Sequence, residues 1–427
     1  MEVDGEEKRV QVRFVTNLKR PFKAPATAIT VPANSTRLGL SSIVNSILRA
    51  RDPEWNDQPF DFLIDGELVR MHLDELLLAK GISAERILEI EYIRAVYPSK
   101  DEDPSLHDDW VSSVDGSFPG FIMTGCYDRF GRIWKSPGVC SHILAGHTDA
   151  ITCVSVIDSQ AADRVIVATA SKDRTMRLWK VDTEEPTDQP ENLTAFKVLR
   201  GHSGSVQSVA PQASGSMICS GSWDCTINLW KTDEPDTVSI KKRKVKKKDT
   251  QVLSEGEAVS SLVGHTQQVS SVVWPEHSTI YSASWDHSLR TWDVETGTDT
   301  AKIFCGKALS CLHVGGEGSA LIAAGGSDSI LRVWDSRKPG TSAPAYQFAG
   351  HNSWISACKW HDKSQFHLLS ASYDGKIMLW DIRTAWRLFA IGSHEDKVLC
   401  ADWWKGDSIV SGGADNKLCI SGEVNIQ

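Results

Sequence analysis

The chain has 427 residues, a formal net charge of −9 at pH 7, 16 tryptophans and 10 cysteines. This length allows more than one domain, and the acidic balance argues against a protein that wraps nucleic acid over its whole surface. All cysteines lie at or after Cys126 and none forms a C-x-x-C pair, so we expect reduced thiols without a zinc site or a disulfide framework. The charged N-terminus and the lack of an apolar run of about 18 residues predict a soluble, intracellular protein.

The first segment, after a charged tail over residues 1–8, begins with two strand patterns and a helix pattern. Apolar and polar residues alternate from Val10 to Phe14, which predicts a strand, and a second short strand follows. A helix comes next, because apolar residues from Leu40 to Leu48 recur at helical spacing after a set of capping residues.

The same segment continues with a hairpin, a short helix and a last strand. Asp65-Gly66 favours a hairpin turn because both positions tolerate a positive φ. Gly81 ends the short helix, and residues 88–92 alternate as a strand. The order β-β-α-β-β-α-β over residues 9–93 predicts a small α+β domain of the ubiquitin-like β-grasp type. It contains no nucleophile–base pair and no Gly-rich phosphate loop, so we interpret it as a docking module.

From residue 107 onwards one motif recurs, an Asp six residues before a Trp. These residues are Asp128, Asp173, Asp224, Asp286, Asp328 and Asp374, and a seventh unit places Asp415 six residues before Ser421. A His precedes the Asp in every unit except the fifth, where Cys305-Gly306-Lys307 takes its place: His107, His147, His202, His265, His351 and His394. The units recur at close to the period of about 40–45 residues expected for a four-stranded blade. Residues 107–427 therefore predict a mainly β, seven-bladed β-propeller.

These repeats resemble the WD-repeat family. In that family the His, the Asp and a strand Ser or Thr form a hydrogen-bonded set with the Trp, which ties the strands of one blade together. A buried carboxylate and imidazole must be paired, and pairing them across strands fixes the register. Because the set recurs in blade after blade, we interpret these residues as structural staples and not as a catalytic site. The resemblance also implies that the linker, residues 94–106, supplies the outer strand that closes the ring.

A strongly basic insertion over residues 232–258 separates the third and fourth blades. Seven of its residues form one cationic run: Lys241, Lys242, Arg243, Lys244, Lys246, Lys247 and Lys248. Such a run cannot bury itself and predicts a solvated loop. It is compatible with a nuclear import signal, with a contact to RNA phosphates or with a loop that only aids solubility. The Lys-Lys-Arg-Lys-Val core favours import.

A ubiquitin-like domain joined to a seven-bladed WD ring with this insertion resembles the WD repeat-containing protein 12 family of ribosome-assembly factors, in which a Notchless-like domain precedes the repeats. The resemblance implies a non-catalytic scaffold of the nucleus, nucleolus and nucleoplasm. Its expected role is maturation of the large (60S) ribosomal subunit and pre-ribosomal RNA processing, in complex with pescadillo and the block-of-proliferation protein. Direct contact with pre-ribosomal RNA would be a further possibility. The resemblance also implies that midasin, an AAA-type ATPase, docks on the ubiquitin-like domain and releases the protein from the pre-60S particle.

The same resemblance assigns a role to Glu85. In the family, an acidic side chain in the loop before the last strand completes the coordination of a metal ion that midasin holds. Mg²⁺ prefers hard oxygen ligands, so a partner's carboxylate is suited to replace one water. Asp74 and Glu75 are weaker candidates because they lie at the start of a helix. No cofactor or metal of the chain's own is implied.

A second function remains open at this stage. Two tetrapeptides, 334–337 and 380–383, have the pattern W-D-x-R. Some WD proteins use this pattern to dock on the adaptor of a cullin-based ubiquitin ligase, which would make the chain a substrate receptor. The pattern also arises by chance at strand ends, and affinity purification would separate the two functions.

Overall fold

The computed structural model describes residues 9–52, 55, 57–69, 71–82, 86–95, 100–157, 164–182, 190–233, 254–338, 342–383, 386–422 and 424. The chain divides into two compact units, Met1–Tyr97 with Asn425–Gln427, and Pro98–Val424.

The first unit is a small mixed sheet with two helices. Its elements are β1 (Arg9–Val15), β2 (Ala28–Pro32), α1 (Arg37–Arg49), β3 (Phe60–Ile64), β4 (Glu67–Leu68), α2 (Leu73–Lys80) and β5 (Leu88–Arg94). The strands lie in the order β2-β1-β5-β3-β4, with β1 and β5 parallel and the other neighbours antiparallel. This is the element order that the sequence predicts for a β-grasp domain.

Local chemistry sets the ends of these elements. The hydroxyl of Thr36 accepts a hydrogen bond from the backbone N–H of Gly39 and caps α1, whose apolar stripe is buried in the core. Gly81 ends α2 with a φ of 64°, in the left-handed region that glycine adopts without a Cβ penalty. Asp65 and Gly66 have φ values of 52° and 80° and form the β3–β4 turn, as the sequence predicts.

The second unit is a ring of seven sheets, which confirms the predicted propeller class. From the innermost strand outwards, blade 1 contains Val111–Asp115, Ile122–Cys126, Gly131–Ser136 and Val139–Leu144; blade 2 contains Ile151–Ile157, Arg164–Ser171, Thr175–Asp182 and Lys197–Arg200; and blade 3 contains Val206–Pro211, Met217–Ser222, Thr226–Lys231 and Ser260–Val263. Blade 4 contains Val269–Val273, Thr279–Ser284, Ser288–Asp293 and Thr298–Phe304; blade 5 contains Leu309–Gly315, Leu321–Gly326, Ile330–Asp335 and Tyr346–Ala349, with a 3-10 turn at Glu317–Ser319; and blade 6 contains Ile355–Trp360, His367–Ser372, Ile377–Asp381 and Trp386–Ile391.

Blade 7 is assembled from both ends of the unit. Its three inner strands are Val398–Trp404, Ser408–Gly413 and Lys417–Gly422, and its outer edge comes from Lys100–Asp101 and Ser105–Leu106. This antiparallel pairing satisfies the backbone groups of the last strand and joins the two ends of the ring.

Two short strands lie outside the regular four-strand pattern. Glu191–Leu193 pairs in parallel with the outer strand of blade 1, and Ser254–Gly256 pairs in parallel with that of blade 2. The second of these lies inside the insertion over 232–258, whose cationic run 241–248, predicted as a solvated loop, lies outside the described residues. The strand forms because the open edge of blade 2 offers backbone partners to the returning chain.

The core of the second unit lies between neighbouring blades. The six Trp residues of the repeats are at most 5% exposed and pack with aliphatic residues of adjacent strands: Trp134, Trp179, Trp230, Trp292, Trp334 and Trp380. Among the described residues, no helix has the length and apolar composition needed to cross a membrane.

Candidate functional site

The polar set predicted for each blade is complete in blade 3. His202 Nδ1 lies 2.8 Å from Asp224 Oδ2, and its Nε2 lies 2.7 Å from Ser220 Oγ. The indole N–H of Trp230 donates to the same hydroxyl at 2.8 Å. Because a carboxylate oxygen only accepts, Nδ1–H donates to Asp224, and Nε2 and the serine hydroxyl share the second hydrogen bond. Four side chains, two from neighbouring strands, one from a turn and one from a loop, are therefore linked from the indole to the carboxylate.

Blades 2, 4 and 6 repeat this arrangement. The His Nδ1 to Asp distances are 2.8 Å for His147–Asp173, 2.8 Å for His265–Asp286 and 3.0 Å for His351–Asp374. The shared hydroxyls are those of Thr169, Ser282 and Ser370, which accept from Trp179, Trp292 and Trp380. The structure thus brings the predicted residues together in four blades with nearly the same geometry.

The carboxylate of each complete set is held ionised by several donors. Asp224 also accepts from the backbone N–H groups of Ser203 and Thr226 and from the Thr226 hydroxyl, at 2.7 to 3.0 Å. Burial alone would raise the pKa of Asp224, but the hydrogen bonds from His202 and Thr226 hold it well below its ordinary value. The same balance lowers the pKa of Asp173 and Asp286.

The hydrogen-bond order Ser–His–Asp in these sets is that of a catalytic triad. Its surroundings are different, because Ser220 is 0% exposed and its hydroxyl already accepts from the Trp230 indole. A substrate carbonyl has no path to the Ser220 oxygen. The arrangement can fix strand register, and it does not offer a nucleophile.

Blade 1 departs from the predicted His–Asp pair. His107 Nε2 bonds the Thr124 hydroxyl at 2.9 Å, but its Nδ1 has no hydrogen-bond partner in the described part of the chain. Asp128 instead lies 2.6 Å from the guanidinium of Arg132. Phe130 stands two residues after this Asp, where blades 2 to 4 have a hydroxyl, and the guanidinium of Arg132 pairs with the carboxylate. Burial and the charge of Arg132 lower the pKa of His107 to about 4.

Blades 5 and 7 depart in other ways. Asp328, which has no His in its repeat, receives two hydrogen bonds from the guanidinium of Arg332 at 3.1 and 2.7 Å. In blade 7, His394 bonds Asp415 at 2.9 Å and the Ser411 hydroxyl at 2.8 Å, with no Trp to complete the set. Each blade therefore keeps a paired Asp, and only the partner changes.

A second set of polar contacts was missed by the sequence interpretation. The hydroxyl of the second residue of an innermost strand donates a hydrogen bond to a backbone carbonyl of the next blade, that of the first residue of its innermost strand. Ser112 donates in this way to the Ile151 carbonyl at 2.6 Å. Equivalent bonds start from Thr152, Ser270, Ser310 and Ser356. The signal in the sequence is an apolar residue followed by Ser or Thr at the start of these repeats. These bonds join blade to blade, whereas the predicted staples act within a blade.

The same innermost strands enclose a central channel with a volume of 350 Å³. Lys359 Nζ lies 3.3 Å from Asp402 Oδ2, and Asp115 accepts from the backbone N–H of Val156 at 2.8 Å. Burial raises the pKa of Asp402 to about 6, although the charge of Lys359 acts against this shift. No group of three His, Cys, Asp or Glu side chains suited to hold a metal ion occurs among the residues that the structure describes.

Two of the predicted functional features lie outside the described residues. These are Glu85, in the loop before β5, and the basic run 241–248. The Arg residues of the two W-D-x-R motifs are described, and each bonds the Asp of its own motif: Arg337 with Asp335 at 2.9 Å, and Arg383 with Asp381 at 2.7 Å. Both guanidinium groups are half exposed but already paired.

A seven-bladed ring with these hydrogen-bonded sets, preceded by a small β-grasp domain, defines a WD-repeat protein of the scaffold class. Residues 10–77 match the NLE (NUC135) domain, and residues 138–180, 194–231, 256–293 and 342–381 match the WD domain, G-beta repeat. The chain is similar over its whole length to proteins described as ribosome biogenesis protein WDR12 homolog. Identity is 66% with the Arabidopsis thaliana protein, covering 100% of both chains, and 59% with the Oryza sativa subsp. japonica protein, covering 98% of both. The Chlamydomonas reinhardtii protein is 38% identical over 97% of this chain and 98% of its own.

The chain therefore belongs to the family of ribosome biogenesis protein WDR12 homologs. This confirms the resemblance drawn from the order of the domains and the repeat spacing.

Proposed function

We propose that the chain is a non-catalytic scaffold in ribosome biogenesis, acting in nucleolar maturation of the 60S subunit and in pre-ribosomal RNA processing. The observation that carries this proposal is the end-to-end similarity to ribosome biogenesis proteins, at 66% identity over 100% of the chain. The buried polar sets support a scaffold role, because they stabilise seven blades without exposing a reactive group.

Within this function, the two units have separate tasks. The propeller binds pescadillo and the block-of-proliferation protein, and in this complex it binds the pre-60S particle. The ubiquitin-like domain is the docking module for midasin, with the carboxylate of Glu85 completing a Mg²⁺ site that belongs to midasin. The run 241–248 acts as a nuclear import signal, and a fluorescent fusion that lacks this run but stays nuclear would contradict that role.

The midasin contact gives a direct test of the proposal. In cells depleted of the endogenous protein, the parent chain should restore free 60S subunits, whereas Glu85→Ala should accumulate pre-60S particles that retain the protein. Purified Glu85→Ala should lose binding to midasin at saturating Mg²⁺, because an alanine offers no oxygen ligand. Subunit profiles on sucrose gradients and a pull-down with midasin measure the two effects.

Glu75→Ala is the matched control, since Glu75 is an exposed acidic residue in the first turn of α2. It should keep midasin binding and restore the 60S subunits. Equal midasin binding by Glu85→Ala and the parent would reject the role of Glu85. A normal 60S profile after depletion of the whole protein would reject the ribosomal function itself.

A further inference from the structure

One position of the repeat carries an aromatic residue in four blades, directly before the Asp of the polar set. These residues are Tyr127 in blade 1, Trp223 in blade 3, Trp285 in blade 4 and Tyr373 in blade 6. The backbone N–H of each donates, at 2.9 to 3.1 Å, to the backbone carbonyl of the residue just before the innermost strand of its blade. These carbonyls belong to Trp110, Ser205, Gln268 and Trp354. The four aromatic residues therefore share one backbone setting and lie on the same face of the ring.

In blades 1 and 6 this aromatic ring contacts a tryptophan and a lysine of the protein itself, although Tyr373 is still 37% exposed. Tyr127 lies beside Trp110 with ring centroids 5.5 Å apart, and the ammonium of Lys172 from blade 2 sits 4.1 Å from its centroid. Tyr373 stacks on Trp354 at 6.3 Å, and the ammonium of Lys397 from blade 7 sits 5.6 Å from its centroid. The protein itself thus places a lysine over this ring twice, each time from the following blade.

Blades 3 and 4 have the ring without these two contacts. Ser205 and Gln268 stand where blades 1 and 6 have a tryptophan. Trp223 is 55% exposed and Trp285 is 39% exposed, and no lysine or arginine of the described residues lies over either ring. Both indoles line the mouth of the central channel. Exposed aromatic side chains at the centre of a concave surface are typical of the energetic core of an interface.

The charge around these two rings favours a cation. Each indole directly precedes an ionised carboxylate, Asp224 or Asp286, which accepts a hydrogen bond from the His of its own set. The channel residues beside them are uncharged, as with Gln207 and Gln268. This part of the face therefore places two ionised carboxylates next to two electron-rich indoles. A phosphate backbone would be repelled here, whereas guanidinium and ammonium groups would be attracted.

We propose that Trp223 and Trp285 bind arginine or lysine side chains from an extended basic segment of a partner protein. The partner's cations take the place that Lys172 and Lys397 occupy over Tyr127 and Tyr373. Tryptophan gives the strongest cation–π contact among the aromatic residues, which suits a site that must attract a cation from another chain. The inference goes beyond the scaffold role proposed above and does not rest on it.

The test uses the full-length protein and a fluorescein-labelled decapeptide of alternating Arg and Gly, with binding followed by fluorescence anisotropy at physiological salt. The double variant Trp223→Leu/Trp285→Leu keeps every charge and so leaves the general attraction between peptide and protein unchanged. We expect it to bind the peptide about tenfold more weakly than the parent. The double variant with Tyr at both positions keeps aromatic rings and should recover most of the affinity.

Tyr346→Leu is the matched control, because Tyr346 is 37% exposed on the outer strand of blade 5, away from the channel mouth. It should bind the peptide as the parent does, and thermal unfolding should show all variants folded. Equal peptide binding by the double Leu variant and the parent would overturn the proposal. A second result would also overturn it: a labelled oligouridylate that binds the parent more tightly than the peptide does and loses this binding in the double Leu variant. The two rings would then be stacking platforms for nucleic acid bases.

Discussion

Blades 2, 3, 4 and 6 keep the complete polar set, whereas blades 1, 5 and 7 have each lost a different part of it. The four segments that match the WD domain, 138–180, 194–231, 256–293 and 342–381, fall on the complete blades. All seven blades nevertheless form regular antiparallel sheets. The complete set is therefore one way to stabilise a blade and is not required for the blade to form.

The incomplete blades show which part of the set cannot be omitted. Asp128 and Asp328 have no His partner, and each pairs with an Arg four residues further along the chain. Blade 7 keeps its His–Asp pair and has Ser421 at the Trp position, where the strand pairs with Asp101 from the N-terminal side. The buried carboxylate is constant and only its partner varies, because an unpaired buried charge costs several kcal/mol.

The largest effect is expected when the carboxylate of a complete blade is removed. Asp224→Ala leaves the His202 ring and the Ser203 amide without their acceptor, so it should lower the free energy of unfolding by about 4 kcal/mol. Asp328→Ala in blade 5 should cost less, about 2 kcal/mol, since the guanidinium of Arg332 keeps its contact with the Ile330 carbonyl. Urea unfolding of the full chain, followed by the propeller transition, measures both values.

Asp362→Ala, at an exposed position of blade 6, is the control and should change the free energy of unfolding by less than about 0.5 kcal/mol. Equal losses for Asp224→Ala and Asp328→Ala would mean that the Arg pair stabilises a blade as strongly as the complete set. The distinction between the two groups of blades would then have no energetic meaning.

Much of the fold could be predicted because it rests on local signals. The turn at Asp65-Gly66, the C-cap at Gly81 and the strict Asp-to-Trp spacing each identify an element without any knowledge of distant contacts. The short parallel strand at Ser254–Gly256 could not be predicted in this way. It forms because blade 2 presents an open edge, and that edge exists only after the ring is assembled.

The polar sets, too, could be predicted only where the signal is local. The sequence indicates which residues recur, and four blades join them as expected. It does not indicate that Asp128 pairs with Arg132 and not with His107, because this choice depends on the side-chain geometry within the folded blade. The bonds between blades, such as Ser112 to Ile151, were missed because their acceptors are backbone carbonyls in another repeat.

Blade 1 should lose stability in acid through His107, and blade 6 through His351, because burial lowers the pKa of both. The pKa of His107 is lowered to about 4, so its neutral form stabilises the native state fully above the ordinary His value of about 6.5. As the pH falls from about 6.5 towards 4, the unfolded chain takes up a proton that the native chain does not. The free energy of unfolding therefore falls by up to about 3 kcal/mol. The pKa of Asp224 is lowered, so the stability that its carboxylate gives the native state is lost only when the pH falls below the ordinary Asp value of about 4.

The free energy of unfolding of His107→Gln should therefore fall by about 2 kcal/mol less than that of the parent between pH 6.5 and pH 4. Urea unfolding at a series of pH values measures the difference, and the comparison of slopes removes any cost of the substitution at neutral pH. A variant whose stability falls in parallel with that of the parent would show that His107 does not contribute to the loss of stability in acid.

The smallest effect concerns the hydroxyl bonds between blades, which do not follow the division into complete and incomplete sets. Ser270 of the complete blade 4 donates to the Leu309 carbonyl at 2.7 Å, and Ser310 of the incomplete blade 5 donates to the Ile355 carbonyl. If these bonds act independently of the staples, Ser270→Ala and Ser310→Ala should each cost about 1 kcal/mol of unfolding free energy. The double variant should then lose the sum of the two, as measured in urea.

A much larger loss for Ser310→Ala than for Ser270→Ala would give a different picture. It would mean that blade 5, which has no His in its set, depends on its neighbour for the stability that blade 4 obtains from its own staple. Equal losses would instead show that two separate systems stabilise the ring, one within each blade and one between blades. The missing His of blade 5 would then be compensated by the Arg332–Asp328 pair, whose guanidinium lies 2.7 Å from the carboxylate.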